Sequence, residues 1–223
     1  MSYADRTRRP PRTLTDREVK KLLNVTGAHK LGFRDHVIIS LALGCGLRES
    51  EIVGLNVADV TRDGRAPVRV IQLPIFKGKS RPDANPRDHT VHVPDATFYK
   101  LELYLRSSRA PYFLEAEEGR GRGVWGYEGL GPEAAPLFLS RKGNRLSTRQ
   151  VREMFATWQA RAGLDVRYRF HELRHTAITA VRRRTKDIRI ASRFARHANI
   201  ATTVRYDHAS DEEIAAAVKG LVA

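Results

Sequence analysis

Apolar residues recur along this chain at helical spacing, with one interruption where the period shortens to that of strands. Thr15-Asp16-Arg17-Glu18 has the form of a capping box, so a helix is expected to start there with Val19, Leu22 and Leu23 on its inner face. A second, mostly buried helix is expected from about Arg34 through Val37, Ile38, Ile39, Leu41 and Leu43, ending near Gly44 and Gly46. A third starts at Arg48 or just after it, with Ile52 and Leu55 inward. Arg48 therefore falls at a helix N-terminus, where backbone N–H groups and the dipole favour an anion. The period then changes. The run from Val68 to Ile75 reads as a strand, with Pro74 arguing for an edge position, and His89-Thr90-Val91-His92-Val93 alternates as its partner. Residues 76–88 between them form a long basic hairpin loop. Asp95 is expected to cap a helix carrying Phe98, Leu101 and Leu105.

Residues 115–135 are rich in Gly and Glu and read as a flexible loop; no Lys-Ser or Lys-Thr follows a glycine there, as a phosphate-binding loop would need. Ser147-Thr148-Arg149-Gln150 is a second capping box, opening a helix through Val151, Met154, Phe155 and Trp158 to Gly163. Helices are expected from His171 to about Arg184, from Asp187 to about Arg196, and briefly around Thr202 to Tyr206. Ser210-Asp211-Glu212-Glu213 is a third capping box, before an amphipathic segment with Ile214, Val218, Leu221 and Val222. The expected fold class is α+β, mainly α-helical, with one hairpin or small antiparallel sheet. The expected organisation is a basic flexible arm over residues 1–12, a main domain over 13–208 and a C-terminal helix over 209–223.

Composition narrows the classes of function. The 223 residues are 41% hydrophobic, enough for a substantial core. No apolar run approaches the roughly eighteen residues of a membrane span, and the Arg- and Pro-rich N-terminus has no apolar segment of the kind a secretory signal needs. The single cysteine, Cys45, sits in an apolar run and reads as core filling. The expected location is the cytoplasm. Forty Lys and Arg face 25 Asp and Glu, a net charge of +15. Such an excess suits a polyanion, because basic side chains neutralise phosphates and release counterions.

The candidate chemistry lies mostly between His171 and Tyr206. His171-Glu172-Leu173-Arg174-His175 satisfies the H-E-x-x-H pattern of zinc peptidases, in which two histidines one turn apart hold the metal and the glutamate activates water. Here Arg174 lies inside the pattern, with Arg167, Arg169, Arg182, Arg183 and Arg184 nearby, and such a positive cluster disfavours Zn²⁺ and favours phosphate. Arg48 and Arg174 each present a planar fork suited to two oxygens of one phosphate. His171 and His197 can exchange protons near neutral pH. Tyr206 carries a phenol able to attack once its proton is removed, and Lys77 is a mobile proton donor. Taken singly, each has a dull reading: a surface cap, a core histidine, a packing tyrosine.

Together these residues resemble the tyrosine recombinase (phage integrase) family. Gly46-Leu47-Arg48-Glu49-Ser50-Glu51-Ile52 looks like its first arginine box, and Phe76-Lys77-Gly78-Lys79 between two strands is similar to its lysine hairpin. His171-Glu172-Leu173-Arg174-His175-Thr176 matches its histidine–arginine box. His197 and Tyr206, with eight residues between them that include Thr202-Thr203, and Asp207-His208 after, match its nucleophile box. The resemblance covers residues 13–208, with the boxes in family order. Arg196 stands before His197 where the family usually has Gly, and the lysine loop is long enough to leave Lys77 and Lys79 both in play. Most members also carry an N-terminal helical domain that closes a clamp around DNA, whereas about a dozen residues precede the matching part here.

The resemblance implies a site-specific DNA recombinase or integrase that cleaves and rejoins strands through a 3′-phosphotyrosine. Tyr206 would be the nucleophile, Arg48 and Arg174 the stabilisers of the pentacoordinate phosphate, and Lys77 the acid for the leaving 5′-oxygen. His171 would be the acid or base near the nucleophile, His197 a donor to phosphate, and Glu51 an orienting carboxylate. It implies no metal, ATP or other cofactor. The implied partners are double-stranded DNA and further copies of the chain, dimer to tetramer on DNA, with no membrane. A type IB topoisomerase shares the chemistry; a DNA-binding protein without catalysis and the zinc peptidase are the other readings.

Overall fold

The capping box at Thr15 opens helix α1, Asp16–Ala28. The Glu18 carboxylate accepts from the Thr15 N–H at 2.8 Å and from its hydroxyl at 2.7 Å, satisfying a donor the helix cannot. The computed structural model describes residues 11–28, 32–62, 66–73, 90–109, 134–197, 199–204 and 206. These fall in two units: Arg12–Ala177, and the residues from Ile178 on together with Pro11.

In the larger unit helix α2, Phe33–Cys45, is buried along almost its whole length, so each of its polar residues needs a partner. Trp158 Nε1 donates to Asp35 at 2.9 Å, and the Arg34 guanidinium holds the other carboxylate oxygen. The Thr26 hydroxyl donates to the Leu22 carbonyl at 3.0 Å and shares a hydrogen bond of 2.8 Å with His36 Nδ1. Lys100 Nζ donates to the Ser40 hydroxyl at 3.1 Å. The helix ends at Gly46, whose φ of 61° is left-handed, a conformation glycine adopts without cost. A β-carbon on Gly44 would lie 2.5 Å from Thr97 Oγ1, so the absence of a side chain lets a later helix approach α2 closely.

Helices α3, Glu49–Gly54, and α4, Val57–Val60, follow. Arg145 closes the end of α3: its Nη1 donates to the carbonyls of Val53 and Leu55 at 2.9 and 3.1 Å, and its Nη2 to Asn56 Oδ1 at 2.5 Å. A cation there complements the negative end of the helix. Strands β1, Thr61–Arg62, and β2, Ala66–Pro67, form one antiparallel pair; β3, Val70–Gln72, and β4, Thr90–His92, form another with Ile71 opposite Val91. Helix α5, Asp95–Tyr104, passes into a π-helical turn over Leu105–Arg109. Helix α6, Thr148–Arg161, buries Val151, Phe155, Trp158 and Gln159, the spacing of one helical face. Helix α7, His171–Thr185, contributes its first seven residues to this unit and the rest to the other. Leu22, Ile38, Leu41, Leu55, Leu101 and Phe155 belong to one core.

In the smaller unit α8, Ile188–Ala195, is capped by Asp187, whose Oδ1 accepts from the Arg189 N–H at 2.6 Å. Helix α9, Ala201–Val204, follows, and Ile178, Ala195 and Tyr206 form a small core with Phe194 against it.

Several expectations need correction. Asp95 does not cap α5: Pro94 holds the N-cap position, its carbonyl accepting from Thr97 and Phe98, while the Asp95 carboxylate is drawn off by the Arg69 guanidinium. The strand expected from Val68 begins at Val70 among the described residues, because the Val68 N–H donates to the Val60 carbonyl instead. The β1–β2 pair and α4 were not expected. Arg12, placed at the end of a flexible arm, stacks its guanidinium 4.8 Å above the Tyr168 ring. Residues 1–10, the loop with Lys77 and Lys79, the Gly-rich stretch over 110–133 and the segment from Asp207, with the third capping box, lie outside the described residues. Among the described residues no helix is long and apolar enough to cross a membrane.

Candidate active site

Arg48 is the N-cap of α3, with an extended backbone. The Glu51 carboxylate serves it twice, accepting its backbone N–H at 2.7 Å and its Nη1 at 2.5 Å. Glu51 is only 7% exposed, whereas the Arg48 side chain is 37% exposed. The buried acid thus fixes the inner edge of a guanidinium that still reaches solvent.

Arg174 is 1% exposed, the largest of the fully buried side chains. A buried guanidinium is costly unless its donors are met. One of them goes to the Gly46 carbonyl, in the turn between α2 and α3, so the residue that carries the charge also ties the start of α7 to the segment bearing Arg48. His171 lies one turn before Arg174 on α7 and keeps solvent contact. Crowding that strips water from its ring lowers its pKa, and the charges of Arg174 and then Arg48 lower it further; Glu49 and Glu172 act against them. Arg48, Glu51, His171 and Arg174 are therefore brought together in the larger unit.

The H-E-x-x-H pattern is put to other use. The His171 and His175 rings meet edge to face with centroids 4.6 Å apart. The Glu172 carboxylate accepts the Arg169 N–H at 2.6 Å, closing the first turn of its own helix. Among the described residues no group of three or more His, Cys, Asp or Glu side chains is placed to hold a metal ion.

In the smaller unit, His197 Nδ1 and Thr203 Oγ1 share a hydrogen bond of 2.8 Å. The His197 and Tyr206 rings are near parallel with centroids 6.3 Å apart, and Tyr206 is 8% exposed. The Tyr206 N–H donates to the Thr203 carbonyl at 2.9 Å, so Thr203 touches both residues. Arg196 ends α8 with φ 51° and ψ 47°, the left-handed conformation for which glycine is suited. Arginine therefore preserves the turn into His197 at an energetic cost. Two features were missed in the sequence. In the sequence Thr203 reads only as part of a box, with nothing to indicate its partner. The Glu49–Arg152 pair joins residues 103 apart, with Arg152 Nε 3.0 Å from both carboxylate oxygens, and no local pattern signals it. Lys77, the remaining site candidate, lies outside the described residues.

A mainly helical domain with small antiparallel strand pairs is the fold of tyrosine recombinase catalytic domains. The fold matches that of XerA recombinase with a TM-score of 0.66 at 24% identity, over 94% of this chain and 63% of that one. It matches the XerH site-specific recombinase bound to its difH substrate at 0.67 and 20% identity, over 95% and 55%. The Tn1549 transposon integrase, in complex with a circular intermediate DNA, gives 0.68 at 18%, over 94% and 66%.

The chain belongs to the phage integrase family, whose profile matches residues 12–213. It is 32% identical over 213 residues to the tyrosine recombinase XerC of Caldanaerobacter subterraneus, covering 94% of this chain and 51% of that protein. It is 29% identical over 215 residues to XerC of Vibrio vulnificus, covering 95% and 58%. The chain thus spans between half and three-fifths of the length of these relatives.

Proposed function

We propose that this chain is the catalytic part of a site-specific DNA recombinase that exchanges strands through a phosphotyrosine. The observation that carries this reading is the arginine pair. Glu51 fixes Arg48 from below, Gly46 takes Arg174, and both guanidinium charges bear on His171. Such pre-aimed donors suit a phosphate gaining charge in a transition state, and they need no reorganisation when it forms. The net charge of +15 and the DNA-bound state of the XerH and Tn1549 proteins add support.

In this reading the Tyr206 oxygen forms a bond to the DNA phosphorus and the bond to the 5′-oxygen breaks. Lys77 gives the leaving oxygen its proton, with Lys79 as the alternative donor, and His171 acts as acid or base for the phenol. His197 donates to a phosphate oxygen, and Arg48 and Arg174 hold the charge of the pentacoordinate phosphate. Attack by a second 5′-hydroxyl reverses the step, so one diester is exchanged for another without ATP or a metal. The partners are double-stranded DNA and further copies of the chain, assembling as dimer to tetramer, and the place of action is the nucleoid in the cytoplasm.

The test is a supercoiled plasmid bearing two target sites, incubated with the purified protein in EDTA. Reciprocal exchange between the sites is expected. Relaxation without exchange would instead assign a nicking–closing topoisomerase, and binding without either would assign a non-catalytic DNA-binding protein.

A further inference from the structure

Thr203 has an ordinary role available, as a small buried residue in the single turn of α9. Its hydroxyl does something less ordinary. Thr26, Thr61, Thr157, Thr176 and Thr185 each donate their hydroxyl proton to the carbonyl four residues back, a common outlet for a threonine on a helix or at its end. The matching carbonyl for Thr203 is that of Asn199, which accepts the Thr202 N–H at 3.1 Å. Thr203 Oγ1 turns instead to His197 Nδ1, 2.8 Å away, and among the described residues this is the hydroxyl's one hydrogen bond.

A bond between a hydroxyl and an imidazole nitrogen can run either way, and burial decides which. Thr203 is 0% exposed, so its proton cannot turn to solvent. Suppose Nδ1 carried a proton, in the neutral ring or in the imidazolium. It would donate to Oγ1, and the Thr203 proton would be buried with no acceptor, a costly state. With Nδ1 unprotonated the hydroxyl donates to it, and both buried groups are met. That requires a neutral ring with its proton on Nε2, because the bond at one ring nitrogen sets the state of the other. Thr203 also holds the next residue of the box, since its carbonyl accepts the Tyr206 N–H at 2.9 Å.

We propose that Thr203 is a positioning residue for His197: its hydroxyl donates to Nδ1 and holds the ring neutral with its proton on Nε2, so that His197 meets a phosphate oxygen as an uncharged donor. This rests on the reading of His197 as the phosphate donor and adds a restriction to it. A ring in this form has no lone pair to offer the phenol, so removal of the Tyr206 proton falls to another group.

The experiment is a long-range ¹H–¹⁵N correlation spectrum of the imidazole rings in the full chain without DNA, at a pH where the His197 ring is neutral. The ring is assigned by its loss in His197→Asn. Wild type should show the proton on Nε2 and an unprotonated, hydrogen-bonded Nδ1, and Thr203→Ser should keep that pattern. Thr203→Val keeps the shape and removes the donor, so the Nδ1 resonance should shift towards that of a free lone pair or bring in the Nδ1–H form. A threonine that only filled space would leave the resonance where it is. A proton on Nδ1 in wild type, or an Nδ1 resonance unmoved in Thr203→Val, would overturn the proposal. If Thr203→Val does not fold, the wild-type spectrum decides alone. With enzyme saturating, Thr203→Val should cleave a nicked duplex more slowly than wild type and Thr203→Ser at near the wild-type rate; equal rates for all three would overturn the positioning role. The spectra contain no DNA, so a wild-type protein that fails to cleave would sink the functional reading and leave the tautomer standing.

Discussion

Replacing Glu51 by alanine removes an acceptor that serves Arg48 twice, and the two losses can be sized separately. The backbone N–H of Arg48 loses its partner at a helix N-terminus, which costs about 1 kcal/mol. The bond from Nη1 to a buried carboxylate is charge-assisted, worth roughly 1.5–3 kcal/mol, and the lower half of that range applies because the arginine can recover water. The sum is about 2–3 kcal/mol, and for a domain of this size the midpoint of thermal unfolding should fall by roughly 5–10 °C. Glu51→Gln keeps an acceptor of the same shape for the N–H and loses only the charge, so about 1 kcal/mol and ~2–4 °C are expected. Activity should be hit harder than stability. A guanidinium released from its clamp is no longer aimed at the phosphate, and loss of one aligned donor costs about 10²–10³-fold in the chemical step. Single-turnover cleavage of a nicked duplex, with enzyme saturating, isolates that step from binding. The alanine variant should cleave about 10²–10³-fold more slowly and bind DNA nearly as well; the glutamine variant should fall between. A variant that melts lower yet cleaves at the wild-type rate would show that Glu51 supports the fold and does not aim Arg48. An unchanged melting point would show that the two bonds do not persist in solution.

Three further outcomes are expected. Arg196→Gly relieves a left-handed residue of about 1 kcal/mol of strain, set against the side chain's contacts, among them the bond from Nη1 to the Phe194 carbonyl at 3.2 Å; if strain dominates, the melting temperature should rise, and a fall would contradict the strain reading. His36 has a pKa pushed down to about 4, first by burial and then by the charge of Lys100, against 6.5 when unfolded. Between those values the unfolded chain binds more protons, so stability is lost as pH falls from 6.5 towards 4, by up to about 3 kcal/mol and by roughly 1–2 once residual solvent contact is allowed for; His36→Gln should flatten this slope in urea melts, and equal slopes would refute it. Lys77→Ala should slow cleavage of ordinary DNA yet cut a substrate with a 5′-thiol leaving group at near the wild-type rate, since a thiolate needs no proton; rescue of Lys79→Ala instead would move the acid to Lys79.

The parts of the fold written in local chemistry could be read directly. The capping boxes at Thr15 and Ser147 and the Asp187 cap are hydrogen bonds spanning a few residues, the Gly46 terminus is a single left-handed residue, and each lies where the residue types place it. The parts settled by distant partners could not. Asp95 looks like a cap until Arg69, 26 residues earlier, takes its carboxylate. Strands of two residues, such as Thr61–Arg62, are too short to show a period. The site divides the same way. Its residue types and order stood in the sequence as boxes, and the structure brings Arg48, Glu51, His171 and Arg174 together. Nothing in the sequence indicated that Arg174 would be almost wholly buried, because arginine usually lies at the surface, nor that Arg196 would adopt a glycine's conformation.

The proposed function stands or falls on one bond, from the oxygen of Tyr206 to the phosphorus of a DNA backbone. A nicked duplex that releases a short oligonucleotide on cleavage traps that bond, and digestion followed by mass spectrometry locates it. The adduct is expected on the peptide containing Tyr206, formed in the presence of EDTA and absent in Tyr206→Phe, which should still bind the duplex. An adduct on any other residue, or one that survives in Tyr206→Phe, would contradict the account.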